Sequence, residues 1–446
     1  MPLTTLQTAL QSLPEGAQEP IVTSQFAGHF LEALGFASNE CCPGYNTKDR
    51  GIADYALRKN LENDIFINTK TNPYVMVELK GRQINLSPNS SAYRDTYKQI
   101  EGYLLSENTK SSQWGLITNS IYVQLFRKHG RVIYPATTCL KLNLDNVDEI
   151  ANFLRDKIHH PPRALTVAVY NNKGGVGKTT TVVNLAATLT LKGKRVLIVD
   201  FDPNQQDLTN SLGIPLSDCN FYEILNNKKS DIRTAIKPFS IRVNGRNSNT
   251  EIKFDVIPAD RKLAYEIAEI ELRRMFKFQR LSQVLKPLKS HYDYILIDSP
   301  PNWRIFSQSA VYASDVVLIP TKHNNIYSIE NAVGVIKQFI PEIQEVRDDG
   351  GPIALPIFFN GEKTTETSLT FVQKEINRIV ETAKEDGFDL SPYFLPTSFP
   401  QERSKIFELP GFAHIANAAF ARIPAVYRNK TIYEYYVNLA KEYFLQ

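Results

Sequence analysis

Leu165-Thr166-Val167-Ala168-Val169-Tyr170-Asn171-Asn172-Lys173-Gly174-Gly175-Val176-Gly177-Lys178-Thr179-Thr180 reads as a short apolar strand, a glycine-rich turn and the start of a helix. Glycines let backbone N–H groups turn inward around phosphate oxygens, and the N-terminus of the following helix adds its own donors and positive dipole end. Lys178 is placed to neutralise β- and γ-phosphates, and the Thr179 hydroxyl to ligate Mg2+. Strand-like runs recur downstream at 195–199, 254–257, 294–297, 316–319 and 353–359. Helical stretches at 179–191 and 329–339 lie between them. Such alternation predicts an α/β unit, a parallel sheet with helices on both faces.

Working outward, Lys194-Arg195-Val196-Leu197-Ile198-Val199-Asp200-Phe201-Asp202-Pro203 is an apolar strand delivering two aspartates, which alternation places on one side of the chain. Tyr294-Ile295-Leu296-Ile297-Asp298-Ser299-Pro300-Pro301 is a second strand ending in a carboxylate, as a metal's water shell at the carboxyl end of a sheet requires. A strict G-x-x-x-x-G-K-[ST] loop needs glycine at 172, where this chain has Asn172. It carries instead a second lysine, Lys173, ahead of the glycines.

This pattern resembles the deviant phosphate loop of the ParA/Soj/MinD ATPases, with an opening closer to the ParA branch. The resemblance implies a P-loop NTPase fold, ATP and Mg2+ as cofactors, and nucleotide contacts from Lys173 through Gly174, Gly175, Val176, Gly177, Lys178, Thr179 and Thr180. It implies that Lys173 reaches the partner's ATP in a nucleotide-sandwich homodimer, that Asp202 orients the attacking water, and that Thr179, Asp200 and Asp298 serve the metal. It also implies that Asn360, after Phe358 and Phe359, contacts adenine. Family members of the ParA type bind DNA non-specifically as ATP dimers and work with a small ParB-like DNA-binding partner. Candidate basic surfaces are Arg273, Lys277 and Arg280 on one helical face, with Arg274, Lys286 and Lys289 nearby, and the group Arg403, Lys405, Arg422, Arg428 and Lys430. Redox relatives need bridging cysteines, and only Cys219 lies in this domain. MinD relatives end in a basic membrane helix, whereas residues 433–444 pair aromatics with Glu434, Glu442 and Lys441, as a docked core helix does.

The best domain boundary is His159-His160-Pro161-Pro162-Arg163, because paired prolines stop the helix expected over 147–158. The expected division is residues 1–158, a linker at 159–163, and the ATPase domain at 164–446. In the first domain, alternation along Tyr74-Val75-Met76-Val77-Glu78-Leu79-Lys80-Gly81 sends Val75, Val77 and Leu79 to one face and Met76, Glu78 and Lys80 to the other. A carboxylate and a lysine on one side suit a metal-dependent phosphodiesterase, with Asp54 and Glu78 holding Mg2+ and Lys80 positioning the attacking water.

Asp54 after Gly51, the Glu78-x-Lys80 step, Gln99 in a helix and Trp114-Gly115-Leu116-Ile117-Thr118-Asn119-Ser120 before a strand at 122–126 together resemble the PD-(D/E)xK nuclease fold. The similarity is specifically to the N-terminal domain of type I restriction-enzyme motor subunits. It implies an α/β restriction-endonuclease-like domain with Asp54, Glu78, Lys80 and Gln99 in the motif positions. Ala53 stands where that family usually has proline, and Glu32 is the candidate for its helical acid. Three readings of this domain stand beside one another: an active nuclease, an inactive DNA- or partner-docking module, and a solvated charge pair on an edge strand.

The 446 residues are 42% hydrophobic and 22% charged, with 21 glycines and 25 prolines, an ordinary folded composition. The balance of 51 Lys+Arg against 47 Asp+Glu leaves only +4, so nucleic acid can be held only by local patches. Cys41, Cys42, Cys139 and Cys219 form neither a disulfide framework nor a zinc pattern. With no membrane-length apolar run and no secretion signal, a cytoplasmic, nucleoid- or plasmid-associated protein is expected. The leading functional expectation is an ATP-hydrolysing switch for plasmid or chromosome partition or DNA positioning. The alternative is an ATP-regulated, Mg2+-dependent DNA endonuclease of a restriction-like defence system.

Overall fold

The computed structural model describes residues 3–88, 90–215, 220–244, 249–264, 269–275, 277–361, 366–394, 406–411, 417–418 and 420–446. The chain divides into two compact units. One comprises Met1–Pro161 with Asp348–Gly351 and Gln446, the other Pro162–Arg347 with Pro352–Leu445.

The first unit is built on a seven-stranded sheet of β1 (Cys41–Asn46), β2 (Ile52–Leu57), β3 (Val75–Leu79), β4 (Trp114–Thr118), β5 (Tyr122–His129), β6 (Val132–Pro135) and β7 (Leu140–Lys141). The first six lie in that order and β7 pairs with β5. Only β3 and β4 run parallel, bridged by the helix Ser91–Leu104 that links them. The period-two alternation of β3 sorts its side chains between two apolar clusters. Val75, Val77 and Leu79 pack with Phe26, Phe30, Leu154 and Ile158, while Met76 packs with Ile100, Leu104 and Phe126. β3 is therefore central and covered on both faces, and Glu78 is only 4% exposed. The solvated edge-strand reading of Glu78 and Lys80 is corrected by this placement. Gly115 lets the helix sit close: a Cβ there would lie 2.8 Å from Leu104 Cδ1 and 2.9 Å from Ile100 Cγ1.

The second unit holds β8 (Leu165–Val169), β9 (Val196–Asp200), β10 (Lys237–Asn244), β11 (Asn249–Ile257), β12 (Tyr294–Asp298), β13 (Val316–Leu318) and β15 (Ile353–Ala354) in the order β10-β11-β9-β12-β8-β13-β15. All pairs are parallel except β10 with β11. β10 is an antiparallel edge strand that the strand-like runs did not include, although Phe239 and Ile241 alternate with Ser240 and Arg242. Its Pro238 is tolerable because the strand is at the edge. The run at 353–359 is two strands, not one. After β15, Pro356 cannot donate to the ladder, and β16 (Phe358–Asn360) joins a separate three-stranded parallel sheet between β14 (Pro320–Thr321) and β17 (Phe407–Leu409). The helix Lys430–Tyr443 packs its Ile432, Tyr436, Leu439 and Ala440 face inward against the helix Lys178–Leu191. Among the described residues no helix is long and apolar enough to cross a membrane.

Candidate functional site

The register of the central strands assembles the first candidate site. Asp298 ends β12 directly beside Val169 of β8 and Asp200 of β9. The chain leaving β8 therefore turns over two carboxylates at the carboxyl edge of the sheet, where open α/β sheets bind ligands. The turn itself needs its glycines. Gly175 and Gly177 have φ of 73° and 84°, and a Cβ on Gly177 would lie 2.2 Å from Asn360 Nδ2. The helix then starts at Lys178 with no side-chain cap and no acidic residue in its first turn. Its N-terminal N–H groups remain available to an anion.

Lys178 is 8% exposed and reaches back across the turn, its Nζ donating to the carbonyls of Lys173 (3.0 Å) and Asn171 (3.4 Å). Burial pulls its pKa down, while Asp298 and Asp202 hold its charge in place. Thr179 Oγ1 donates to Asp298 Oδ2 at 2.6 Å, which leaves the hydroxyl lone pairs for a cation. Asp298 Oδ1 is buried and accepts no hydrogen bond. Burial, and then repulsion from Asp200, raises the Asp298 carboxyl well above the carboxylate range. No group of three His, Cys, Asp or Glu side chains that could hold a metal exists among the described residues. A hydroxyl, one orphaned carboxylate oxygen and an open helix end instead fit a magnesium ion carried in on phosphate oxygens and water.

Other expected residues take different stations. Asp200 is 1% exposed, and its Oδ2 accepts from the Thr209 amide (2.9 Å) and hydroxyl (2.6 Å), while Oδ1 accepts from the Asp202 amide (3.3 Å). Burial pushes its pKa up to about 6. Its carboxylate anchors the turn that carries Asp202. Asp202 accepts from the Gln205 amide at 3.2 Å and is likewise raised by burial, with Lys178 opposing. Lys173 is half-buried, and its carbonyl is the one Lys178 Nζ donates to at 3.0 Å. Asn360, expected at adenine, is 6% exposed. Its Nδ2 donates to the carbonyls of Val176 (3.1 Å) and Gly177 (3.2 Å) and to Thr181 Oγ1 (3.2 Å). In this structure it braces the glycine-rich turn. A cavity of about 380 Å3 opens beside Thr179 and Thr180, lined also by Val183, Asn184, Asp207 and Pro424.

The expected basic face at 273–280 does not form. Arg273 lies on the helix Glu269–Met275 and Arg280 starts another, Arg280–Leu285, where its guanidinium donates to the carbonyls of Ile224, Leu225 and Asn227. Arg422, Arg428 and Lys430 are exposed. Cys219, Arg403 and Lys405 lie outside the described residues.

The second candidate site is in the first unit. Pairing of Tyr55 with Val77 brings Asp54 and Glu78 to neighbouring positions on adjacent strands. The Leu79 amide donates to Asp54 Oδ2 at 2.6 Å, and Lys80 Nζ donates to Glu78 Oε1 at 2.5 Å. Glu78 Oε2 is buried with no hydrogen-bond partner. Burial pushes the Glu78 pKa up to about 7, with Lys80 pulling it back and Asp54 repelling it. An orphaned carboxylate oxygen beside a second carboxylate is a fit for a divalent cation.

Glu32 is exposed on its helix. The acid that reaches this pair is Glu19, 3.9 Å from Lys80 Nζ. Arg82 straps the preceding turn in place through the carbonyls of Ala17 and Leu13. Gln99 is exposed, and Tyr103, one turn further along the helix, is the residue that faces Glu78 and Asp54. Burial and those two charges raise its pKa to about 12. Both missed residues are distant or unremarkable in sequence, although Gln99 and Tyr103 share a helical i,i+4 spacing.

Residues 164–352 match the family model described as an AAA domain. The chain is 43% identical over 159 residues to sporulation initiation inhibitor protein Soj of Bacillus subtilis, covering 35% of this chain and 57% of that protein. It is 34% identical over 202 residues to chromosome partitioning protein ParA of Caulobacter vibrioides, covering 43% of this chain and 66% of that protein. The chain thus spans between about half and two thirds of the curated relatives it matches. Among solved structures, an ATP complex of McdA from Cyanothece is 19% identical with a TM-score of 0.46, covering 63% of this chain and 96% of that one. The chain is thus similar in part to Soj and ParA, and residues 164–352 match the AAA domain model.

Proposed function

We propose that the second unit is a Mg2+-dependent ATPase of the ParA type whose ATP-bound homodimer binds DNA non-specifically, in plasmid or chromosome partition or in positioning along DNA. The observation that carries this reading is the convergence of Lys178, Thr179 and the orphaned Asp298 oxygen on an uncapped helix N-terminus. It lies within residues 164–352, which match the AAA domain family model. The helix amides and Lys178 bind the triphosphate, Thr179 and Asp298 hold the magnesium ion, and Asp202 orients the attacking water. Bound magnesium would supply charge neutralisation to the phosphates. Dimerisation doubles basic patches too weak to hold DNA singly, and a ParB-like protein is the natural partner of such a switch.

Lys173, half-buried at the opening of the glycine-rich turn, is the residue that crosses to the second nucleotide. Lys173→Ala is expected to bind ATP normally while dimerisation fails and turnover falls at least about 10-fold, a single charged contact. Turnover at the wild-type rate in a steady-state ATPase assay would overturn the cross-dimer assignment.

The orphaned Glu78 oxygen beside Asp54 favours a second reading of the first unit, a Mg2+-dependent DNA nuclease that ATP-driven dimerisation brings together in pairs. Asp54 and Glu78 would hold the cation, with Lys80 positioning water. Supercoiled plasmid with Mg2+ and ATP is expected to be nicked by the wild type and left intact by Glu78→Ala. If both leave it intact under every nucleotide condition, the first unit is a docking module instead.

A further inference from the structure

We infer that Trp303 is a positioning residue that ties the loop after Asp298 to the helix running on from Ile326, so that the nucleotide state of the site is felt at the far side of the second unit; this rests on the ATPase reading above. The loop leaves β12 as Ser299-Pro300-Pro301-Asn302 and arrives at Trp303. Two consecutive prolines fix two φ angles, so a displacement at Asp298 is carried along the segment rather than absorbed in it. The segment is pinned at both ends. Ser299 Oγ donates to the Val169 carbonyl at 3.3 Å, and Ser307 Oγ donates to the carbonyls of Pro300 (3.2 Å) and Asn302.

Trp303 is half-buried, and its indole touches two elements at once. On one side lies Tyr170, ring centroids 5.6 Å apart at 47°. Tyr170 is the last residue before the phosphate loop, and its hydroxyl donates to Asn172 Oδ1 at 3.0 Å. On the other side the indole stacks on Phe339 at 4.5 Å and 8°, and its Nε1 donates to Glu342 Oε2 at 2.8 Å. Phe339 closes a π-helical turn, Val335–Phe339, set within the run of helix from Ile326 to Gln344. Such i→i+5 irregularities concentrate at functional sites. From Glu342 the contacts continue to Gln308 (3.5 Å) and from Gln308 to Arg273 (3.0 Å). One ring thus spans the loop that grips phosphate, the loop that presents Asp298 and the helix beyond.

The chain has two tryptophans, and Trp114 belongs to the first unit. Full-length protein carrying Trp114→Phe leaves Trp303 as the single emitter, read with MgADP and with MgATP while ATP binding is measured separately by equilibrium dialysis. The emission of Trp303 is expected to differ between the two nucleotides. Trp303→Ala is expected to lower kcat about 10-fold with the ATP Kd within about 2-fold. Trp303→Phe keeps a ring against Phe339 and recovers at least half of the lost turnover, a rescue that separates positioning from misfolding. Identical emission in the two states, or an unchanged kcat in Trp303→Ala, overturns the inference. A chain that binds no ATP overturns the ATPase reading as well, whereas ATP bound beside a silent tryptophan overturns this inference alone.

Discussion

Replacing Lys178 by alanine is expected to weaken MgATP binding by about 100- to 4,000-fold. Its ammonium is set among Asp298, Asp202 and the turn that would hold phosphate, and burial already disfavours its charge. A group kept charged against that pressure is held by its carboxylate neighbours and, in the loaded state, by phosphate. Removing one member of a buried charge pair costs about 3–5 kcal/mol, and about 1.4 kcal/mol is tenfold in affinity. Alanine also deletes the two bonds that close the turn onto the Lys173 and Asn171 carbonyls. Lys178→Gln separates the two effects, because an amide can still donate to those carbonyls but carries no charge. Calorimetric titration with MgATP is expected to show both variants nearly inert. A glutamine variant that binds as the wild type does would mean that loop closure, not charge, is what the lysine contributes.

The parts of this site that were legible in sequence are those fixed by local chain geometry. An apolar run followed by Gly174, Gly175 and Gly177 and then Lys178-Thr179 admits few structures, and the strands ending at Asp200 and Asp298 are visible as short apolar runs with a terminal carboxylate. Less legible was what each polar group would be paired with, because that depends on residues far away in the chain. Asp200 and Asp202 are two positions apart and look equivalent, yet Thr209 engages one of them and leaves the other facing Lys178. Asn360 is an ordinary strand-end asparagine until Gly177, lacking a side chain, admits its amide into the glycine-rich turn.

The same reasoning explains the first unit. Alternation correctly divided Val75, Val77 and Leu79 from Met76, but alternation cannot say whether the opposite face meets water or a helix. The helix Ser91–Leu104, seated closely over Gly115, turns Glu78 from a surface charge into a buried one with an orphaned oxygen. Glu19 was invisible because its approach to Lys80 depends on Arg82 gripping the Leu13–Ala17 turn, a contact across nearly seventy residues of sequence. Proline was read at the domain boundary but not at Pro356, where the same missing N–H divides an apparent strand into β15 and β16.

Asp202→Asn is expected to leave ATP binding within about 3-fold of the wild type while reducing turnover by about 100- to 1,000-fold, within the range a positioned proton acceptor contributes. Asparagine is the informative replacement because its carbonyl oxygen can still accept from the Gln205 amide, which keeps the turn after β9 intact. What it loses is the negative charge that water requires for orientation and proton transfer. Binding is spared because a carboxylate, whose charge burial here already disfavours, repels phosphate rather than attracting it. The loss of about 2.7–4 kcal/mol of transition-state stabilisation should therefore appear in kcat, with KM nearly constant. If ATP-bound dimers form as proposed, they should accumulate in this variant, since nothing dismantles them, and light scattering in MgATP should report a dimer that persists for many wild-type turnovers. A variant that hydrolyses ATP within threefold of the wild-type rate would place the water elsewhere and return Asp202 to the role Asp200 already plays, a carboxylate that shapes the turn.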